Sequence, residues 1–198
     1  HLDEPVADYA AIPTFLLARF ARQHVKVVLT GEGADELFAG YDHYRFASLL
    51  GRYQRVPLGI RQLLNAVGGW LVPRAIAKAL EAGTLDGAAG YAVVKGVFRR
   101  REVAALLAPD LRARLDGDAE LRDLEALFRR GSALDPLNRY LLADLATWLP
   151  EDLLMKVDKM SMSVGLESRV PYLDHRIVEL IAGMPADLKW RGGSKYLL

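Results

Sequence analysis

The chain has 198 residues, of which 52% are hydrophobic and 26% charged, a balance that supports a packed core and excludes a disordered or collagen-like polymer. A formal charge of +1, from 26 Lys and Arg against 25 Asp and Glu, gives no global electrostatic reason to bind nucleic acid or an anionic membrane, so an anionic ligand must be held by local groups. The lack of cysteine removes disulfides, thiolate metal sites and a cysteine nucleophile, and it agrees with a reducing, cytoplasmic setting.

No apolar run approaches the roughly 20 residues that span a bilayer. The opening His1-Leu2-Asp3-Glu4-Pro5 reads as neither a signal peptide nor a translation start, so the chain is expected to begin inside a longer product. The spacing of Phe15, Leu16 and Phe20 predicts an amphipathic helix over residues 12–24, with Pro13 in its first turn. Residues 25–30, Val25-Lys26-Val27-Val28-Leu29-Thr30, predict a strand buried on both faces of a parallel sheet. Gly31 to Tyr41 then passes from two glycines into helical spacing, giving a strand, a glycine turn and a helix N-terminus, where anion chemistry is common.

From Phe46 to about Gly131 the pattern predicts amphipathic helices broken at Pro57, Gly68-Gly69, Pro73, Gly83, Gly87, Pro109 and Asp116-Gly117-Asp118. Asp135-Pro136 predicts an N-cap and first turn, with Leu137, Tyr140, Leu141, Leu145 and Trp148 facing inward. Pro150 is expected to reset the chain before a helix over residues 152–161. Asp174 is expected to cap a last helix carrying Ile177, Val178 and Ile181. Residues 190–196 predict a glycine-rich turn presenting a lysine.

Three acids, Glu32, Asp35 and Glu36, fall at the end of the predicted strand, which is unfavourable without a cation, a basic partner or a helix N-terminus. Asp35 and Glu36 suit either first-turn helix acids or cation ligands, whereas Glu32, between two glycines, is not needed for capping. Asp152, Lys156 and Lys159 share one helix side at spacings of four and three, as a solvated charged face would and as a functional face would. Glu167 with Arg169 before Pro171 fits a buried structural pair or a substrate clamp. Lys195, after Gly192-Gly193-Ser194, has the neighbourhood of a lysine that reaches phosphate oxygens, although the order is not that of a Walker A loop. His1, His24, His43 and His175 form no zinc-ligand spacing, and Arg99-Arg100-Arg101 and Arg129-Arg130 read as solvated helix ends.

Leu29-Thr30-Gly31-Glu32-Gly33-Ala34-Asp35-Glu36-Leu37-Phe38-Ala39-Gly40-Tyr41 resembles the synthetase domain of glutamine-hydrolysing asparagine synthetases, whose pattern is (S/T)GEG(A/S)DE(L/V)F(G/A)GY. Residues 152–162 and 165–174 are similar to the same family's DLLxKxDxMSM and LExRxPFLD segments, and Gly193-Ser194-Lys195 matches a third motif in family order. The resemblance implies an α/β parent, a doubly wound parallel sheet of the adenine nucleotide alpha hydrolase-like kind, of which this chain would keep mainly helices with one or two strands. It implies that residues 1–198 are the C-terminal part of that domain, without the upstream SGGxDS loop that binds ATP and without the amino-terminal glutaminase domain.

The implied reaction is ATP-dependent amidation of aspartate through a β-aspartyl-adenylate, with ammonia supplied from glutamine. The implied cofactors are ATP and Mg²⁺. Carried onto matching positions, Thr30 and Gly31 would lie along the nucleotide, and Asp35 and Asp152 would serve the metal. Glu32 would serve adenylate formation or amination, Lys195 would neutralise the pyrophosphate, and Arg169 would contribute to catalysis. Aspartate, glutamine or ammonia, and the glutaminase domain are the implied partners; a homodimer is compatible with them, and nucleic acid and membrane are not expected. The chain alone is expected to be inactive, and to associate or be marginally stable where strand edges and apolar helix faces lose their neighbours. Two rivals remain: a relative that adenylates another carboxylate, such as a β-lactam synthetase or a peptide cyclase, and a non-catalytic helical module. The former tend to replace the glutamate found here as Glu32.

Overall fold

The computed structural model describes residues 2, 6, 8–85, 87–98, 100–114, 119–191, 194, 195 and 197, and leaves aside the side chains of residues 45–48, 52, 69, 70, 100, 101, 119, 120, 191, 194 and 195. The chain forms two compact units, one of His1–Tyr41 with Leu141–Leu198 and the other of Asp42–Tyr140.

The first unit opens with α1 (Ala11–Ala21), which has Pro13 in its first turn, where a missing N–H leaves no bond unmade. Its last turn tightens as Gln23 N donates to Phe20 O and His24 N to Ala21 O, so the helix stops before the predicted residue 24. Ala11 and Ala18 are buried, but Ile12, Leu16, Leu17 and Phe20 stand exposed. β1 (Val27–Leu29) follows and pairs in parallel with β2 (Glu167–Arg169), Val27 opposite Glu167 and Leu29 opposite Arg169. Glu167 N donates to Lys26 O and Thr30 N to Arg169 O, both at 2.9 Å, extending the ladder one residue each way. The expectation of a strand buried on both faces is corrected here: β2 is its one partner among the described residues, and Leu29 is 72% exposed. The short α2 (Ala34–Phe38) ends at Ala39, which takes a left-handed φ of 57°.

The second unit is helical among its described residues: α3 (Asp42–Tyr53), α4 (Leu58–Leu71), α5 (Arg74–Gly83), α6 (Gly87–Lys95), α7 (Arg100–Leu106), α8 (Pro109–Arg114) and α9 (Ala119–Arg130). The predicted breaks at Pro57, Pro73, Gly83, Gly87 and Pro109 are helix ends. Gly68-Gly69 is not a break. It lies inside α4, where a Cβ on Gly68 would come within 2.8 Å of Leu80 Cδ1, so the glycine permits close packing against α5. Asp116-Gly117-Asp118 falls outside the described residues. Tyr91, Phe128 and Tyr140 interlock at centroid distances of 5.3 to 6.1 Å. Lys78 Nζ donates to Val94 O at 3.0 Å and Gly96 O at 2.7 Å, serving carbonyls at the C-terminal end of α6.

α10 (Pro136–Ala146) begins as predicted, with Asp135 Oδ1 accepting from Leu137 N and Asn138 N, and the boundary between the units falls inside it. Pro150 does not reset the chain. It sits in a π-helical turn, Leu149–Leu154, that runs directly into α11 (Met155–Met162). Proline has no N–H to donate to an i−4 carbonyl, which favours such a widened turn. After β2 and a 3₁₀ turn at Pro171–Leu173, Asp174 caps α12 (His175–Ala182) by accepting from Arg176 N at 3.0 Å. The core of the first unit joins Leu37 and Phe38 of α2 to Ile181 of α12, with Tyr172, Leu173 and Val178 against them.

α12 is not the last helix. α13 (Ala186–Lys189) follows, and then β3 (Trp190–Arg191) and β4 (Ser194–Lys195) pair antiparallel. The described residues thus carry four short strands in two pairs, where the sequence led to one or two.

Candidate active site

The β1–β2 ladder delivers the chain to the glycine turn. Thr30, whose N–H is spent on Arg169 O, has its hydroxyl 3.5 Å from that of Ser168, and Gly31 follows it into the open. A Cβ on Gly31 would meet nothing within 4 Å. Gly33 differs: its φ is +86° and a Cβ there would lie 2.7 Å from Leu173 Cγ, so conformation and packing both demand glycine. Between them Glu32 is partly buried. Burial pushes its carboxyl above the usual carboxylate range, the Lys156 charge pulls it back, and Asp35 and Asp8 push it up again.

Asp35 and Glu36 open α2, where their charge suits the positive end of the helix. Asp35 is partly buried. Glu36 is wholly buried, beyond what a first-turn acid needs, and its Oε1 accepts from Tyr41 Oη at 2.7 Å. Burial pushes Glu36 upward against the hydrogen bond from Tyr41, and Asp35 and Asp144 add to the rise. Burial also holds the Tyr41 phenol far above its ordinary value, followed by the hydrogen bond to Glu36, so Tyr41 stays a donor. The Tyr41 ring packs on Trp148 with centroids 5.0 Å apart, and Trp148 Nε1 donates to Asp152 Oδ2 at 2.8 Å. A chain of contacts, Glu36 to Tyr41 to Trp148 to Asp152, therefore joins the two acidic motifs.

Lys156 does not sit on a solvated charged face with Asp152 and Lys159. It is buried, 6% exposed, and Nζ donates to Asp8 Oδ2 at 2.5 Å. Burial raises Asp8, yet the hydrogen bonds from Lys156 and Ala10 N and the Lys156 charge together hold it below its usual value. Arg169 pairs with Glu167 at 2.7 Å, but their side chains are 63% and 52% exposed, which removes the buried-pair reading and leaves a surface contact of small energetic weight. Lys195 has its backbone in β4, opposite Trp190; its side chain, and Gly192-Gly193 before it, lie outside the described residues.

Thr30, Gly31 and Glu32 thus follow the end of β1, Asp35 opens α2 directly after them, Asp152 is joined to Glu36 of α2 through Trp148 and Tyr41, and Arg169 lies on the neighbouring strand. Glu36, Tyr41, Trp148, Lys156 and Asp8 belong to the same surroundings. Tyr41 ends the first motif and Lys156 lies within the second, which is the signal that could have singled them out. No group of three or more His, Cys, Asp or Glu that could hold a metal ion occurs among the described residues. Asp35 and Asp152 are each partly buried. No helix among the described residues is long and apolar enough to cross a membrane.

The asparagine synthase family profile matches residues 1–198. The chain is 35% identical over 201 residues to Asparagine synthetase (glutamine-hydrolyzing) 1 of Bacillus subtilis, covering 100% of this chain and 31% of that protein. It is 38% identical over 201 residues to a Mycobacterium tuberculosis protein named "Putative asparagine synthetase (glutamine-hydrolyzing)", covering 100% of this chain and 30% of the other. A Methanocaldococcus jannaschii protein, named "Putative asparagine synthetase (glutamine-hydrolyzing) 2", is 39% identical over 74 residues, 33% of this chain and 14% of its own. The chain therefore spans under a third of the length of the first two relatives. No solved structure matches.

Proposed function

Because this chain belongs to the asparagine synthase family, we propose that its full-length parent amidates aspartate to asparagine with ATP, and that these residues supply the acid and lysine groups around the reacting phosphates. The reading is carried by one observation: Glu32 stands in the turn that leaves the end of a parallel strand, and Glu36 of the helix that follows, next to Asp35, is joined through Tyr41 and Trp148 to Asp152.

Aspartate's side-chain carboxylate attacks the α-phosphorus of ATP, forming a carboxyl–phosphate bond and breaking the bond to the β-phosphate, so pyrophosphate leaves. Ammonia then attacks the activated carbonyl and AMP departs, carrying the oxygen that aspartate contributed. Thr30 and Gly31 line the nucleotide, and the open space at Gly31 suits close approach of a phosphate or sugar. Asp35 and Asp152 would hold Mg²⁺, which when bound supplies charge neutralisation on the phosphates. Lys195 neutralises the departing pyrophosphate as a point charge, and Arg169, exposed on β2, can turn toward the same anion. Glu32 takes the proton from the attacking ammonia; burial raises its carboxyl above the ordinary value, which makes the carboxylate a stronger base.

The test is Mg·ATP-dependent pyrophosphate release by the full-length parent, with aspartate compared against other carboxylates and with ammonia or glutamine added. Aspartate-specific release that falls at least about a hundredfold in Asp35→Ala and Lys195→Ala is expected. Release with another carboxylate in place of aspartate, or none with any, would overturn the assignment.

A further inference from the structure

α4 packs on α5 with its polar and small residues and turns its apolar ones outward. Arg61 is buried, its Nε donating to Val56 O at 2.9 Å and its guanidinium also to Gly83 O. Asn65 is half-buried, and a Cβ on Gly68 would come within 2.8 Å of Leu80. On the other side Ile60, Leu63, Leu64, Val67 and Leu71 are 45–80% exposed. Ile60, Leu64, Val67 and Leu71 recur at intervals of four, three and four, the spacing of a seam along which one helix packs on another. The contact of α4 with its own unit is already made by the opposite side, so this seam is a second, separate face.

Charge decides what the seam suits. From Val56 to Pro73 the one charged residue is Arg61, and it is buried. An acidic or a basic partner would find no charge to pair with along the stripe, whereas an identical helix meets the same neutral, apolar surface without like-charge repulsion. At roughly 100 Å² of apolar surface for each outward side chain, the stripe offers about 500 Å² per copy and about 1,000 Å² for two, which reaches the size of a specific interface. We propose that α4 is a dimer contact, paired antiparallel with α4 of a second copy across a two-fold axis. A two-fold contact is self-complementary. Centred on the seam, it sets Ile60 of each copy against Leu71 of the other, and Leu64 against Val67.

The experiment measures the mass of the full-length parent in solution by sedimentation across concentration, for wild type and for the double variant Leu64→Glu, Val67→Glu. The wild type should be a dimer, and the paired acids should raise its dissociation constant at least about a hundredfold while circular dichroism stays unchanged. A mixture of Leu64→Cys and Val67→Cys copies, oxidised mildly, should form a disulfide from position 64 of one copy to position 67 of the other, mapped by peptide mass. A monomeric wild type would overturn the proposal. So would a dimer that the acids leave intact, which would put the contact on another face. Should the acid variant fail to fold, as it would if the rest of the parent covers the seam, the cross-link decides, and its absence overturns the proposal.

Discussion

Gly31 and Gly33 stand two positions apart and are glycine for different reasons. Gly33 has a left-handed φ and Leu173 packed over it, so Gly33→Ala should destabilise the parent by about 1–3 kcal/mol in denaturant unfolding. Gly31 has open space around it, so Gly31→Ala should leave stability within about 0.5 kcal/mol while raising the KM for ATP several-fold. An unchanged KM would remove the nucleotide from that turn. Glu36 gives a pH prediction. Its folded-state value is raised, so the folded protein holds the proton more tightly and stability falls as pH climbs from the unfolded carboxyl value toward the folded one. Glu36→Gln should flatten that slope and leave the parent at least as stable at pH 7, read from melting temperatures across pH; a steeper slope would contradict the assignment. Glu32 and Asp35 were legible as acids on a glycine turn, because local sequence alone puts them there. The burial of Lys156 and its pairing with Asp8 were not: spacing reports neighbours on its own helix, and Asp8 lies 148 residues away.

At the scale of elements, Asp152 stands in the π-helical turn Leu149–Leu154. Helical periodicity assumes one geometry throughout, so a π turn at Pro150 was invisible to it, whereas the cap at Asp135 was plain because capping is local chemistry. Asp135→Ala should cost about 1 kcal/mol in unfolding of the parent, since it removes the acceptor for two N–H groups. Trp148→Phe keeps a ring against Tyr41 but removes the donor to Asp152. The expected result is a higher Mg²⁺ concentration for half-maximal pyrophosphate release with little change in stability; an unaltered Mg²⁺ dependence would detach Asp152 from the metal.

For the whole molecule, the sequence foretold a mainly helical chain with one or two strands, one of them over residues 25–30 in a parallel sheet, but misjudged where its apolar faces end up. Phe20, Leu16 and Leu29 carry the pattern of buried residues, and pattern reports what a face is suited to meet, not whether the partner is present; all three are exposed here. An exposed face of this kind should make the 198-residue chain bind a hydrophobic dye and self-associate at micromolar concentration, visible by light scattering. A monodisperse monomer without dye binding would refute that. The central claim is that aspartate's own carboxylate oxygen bonds to the α-phosphorus, and oxygen transfer tests it most directly. With full-length parent, ATP, Mg²⁺, ammonia and aspartate labelled with ¹⁸O in its side-chain carboxylate, the account predicts one ¹⁸O in the AMP released. Label in inorganic phosphate with ADP as co-product, or AMP free of label, would contradict it.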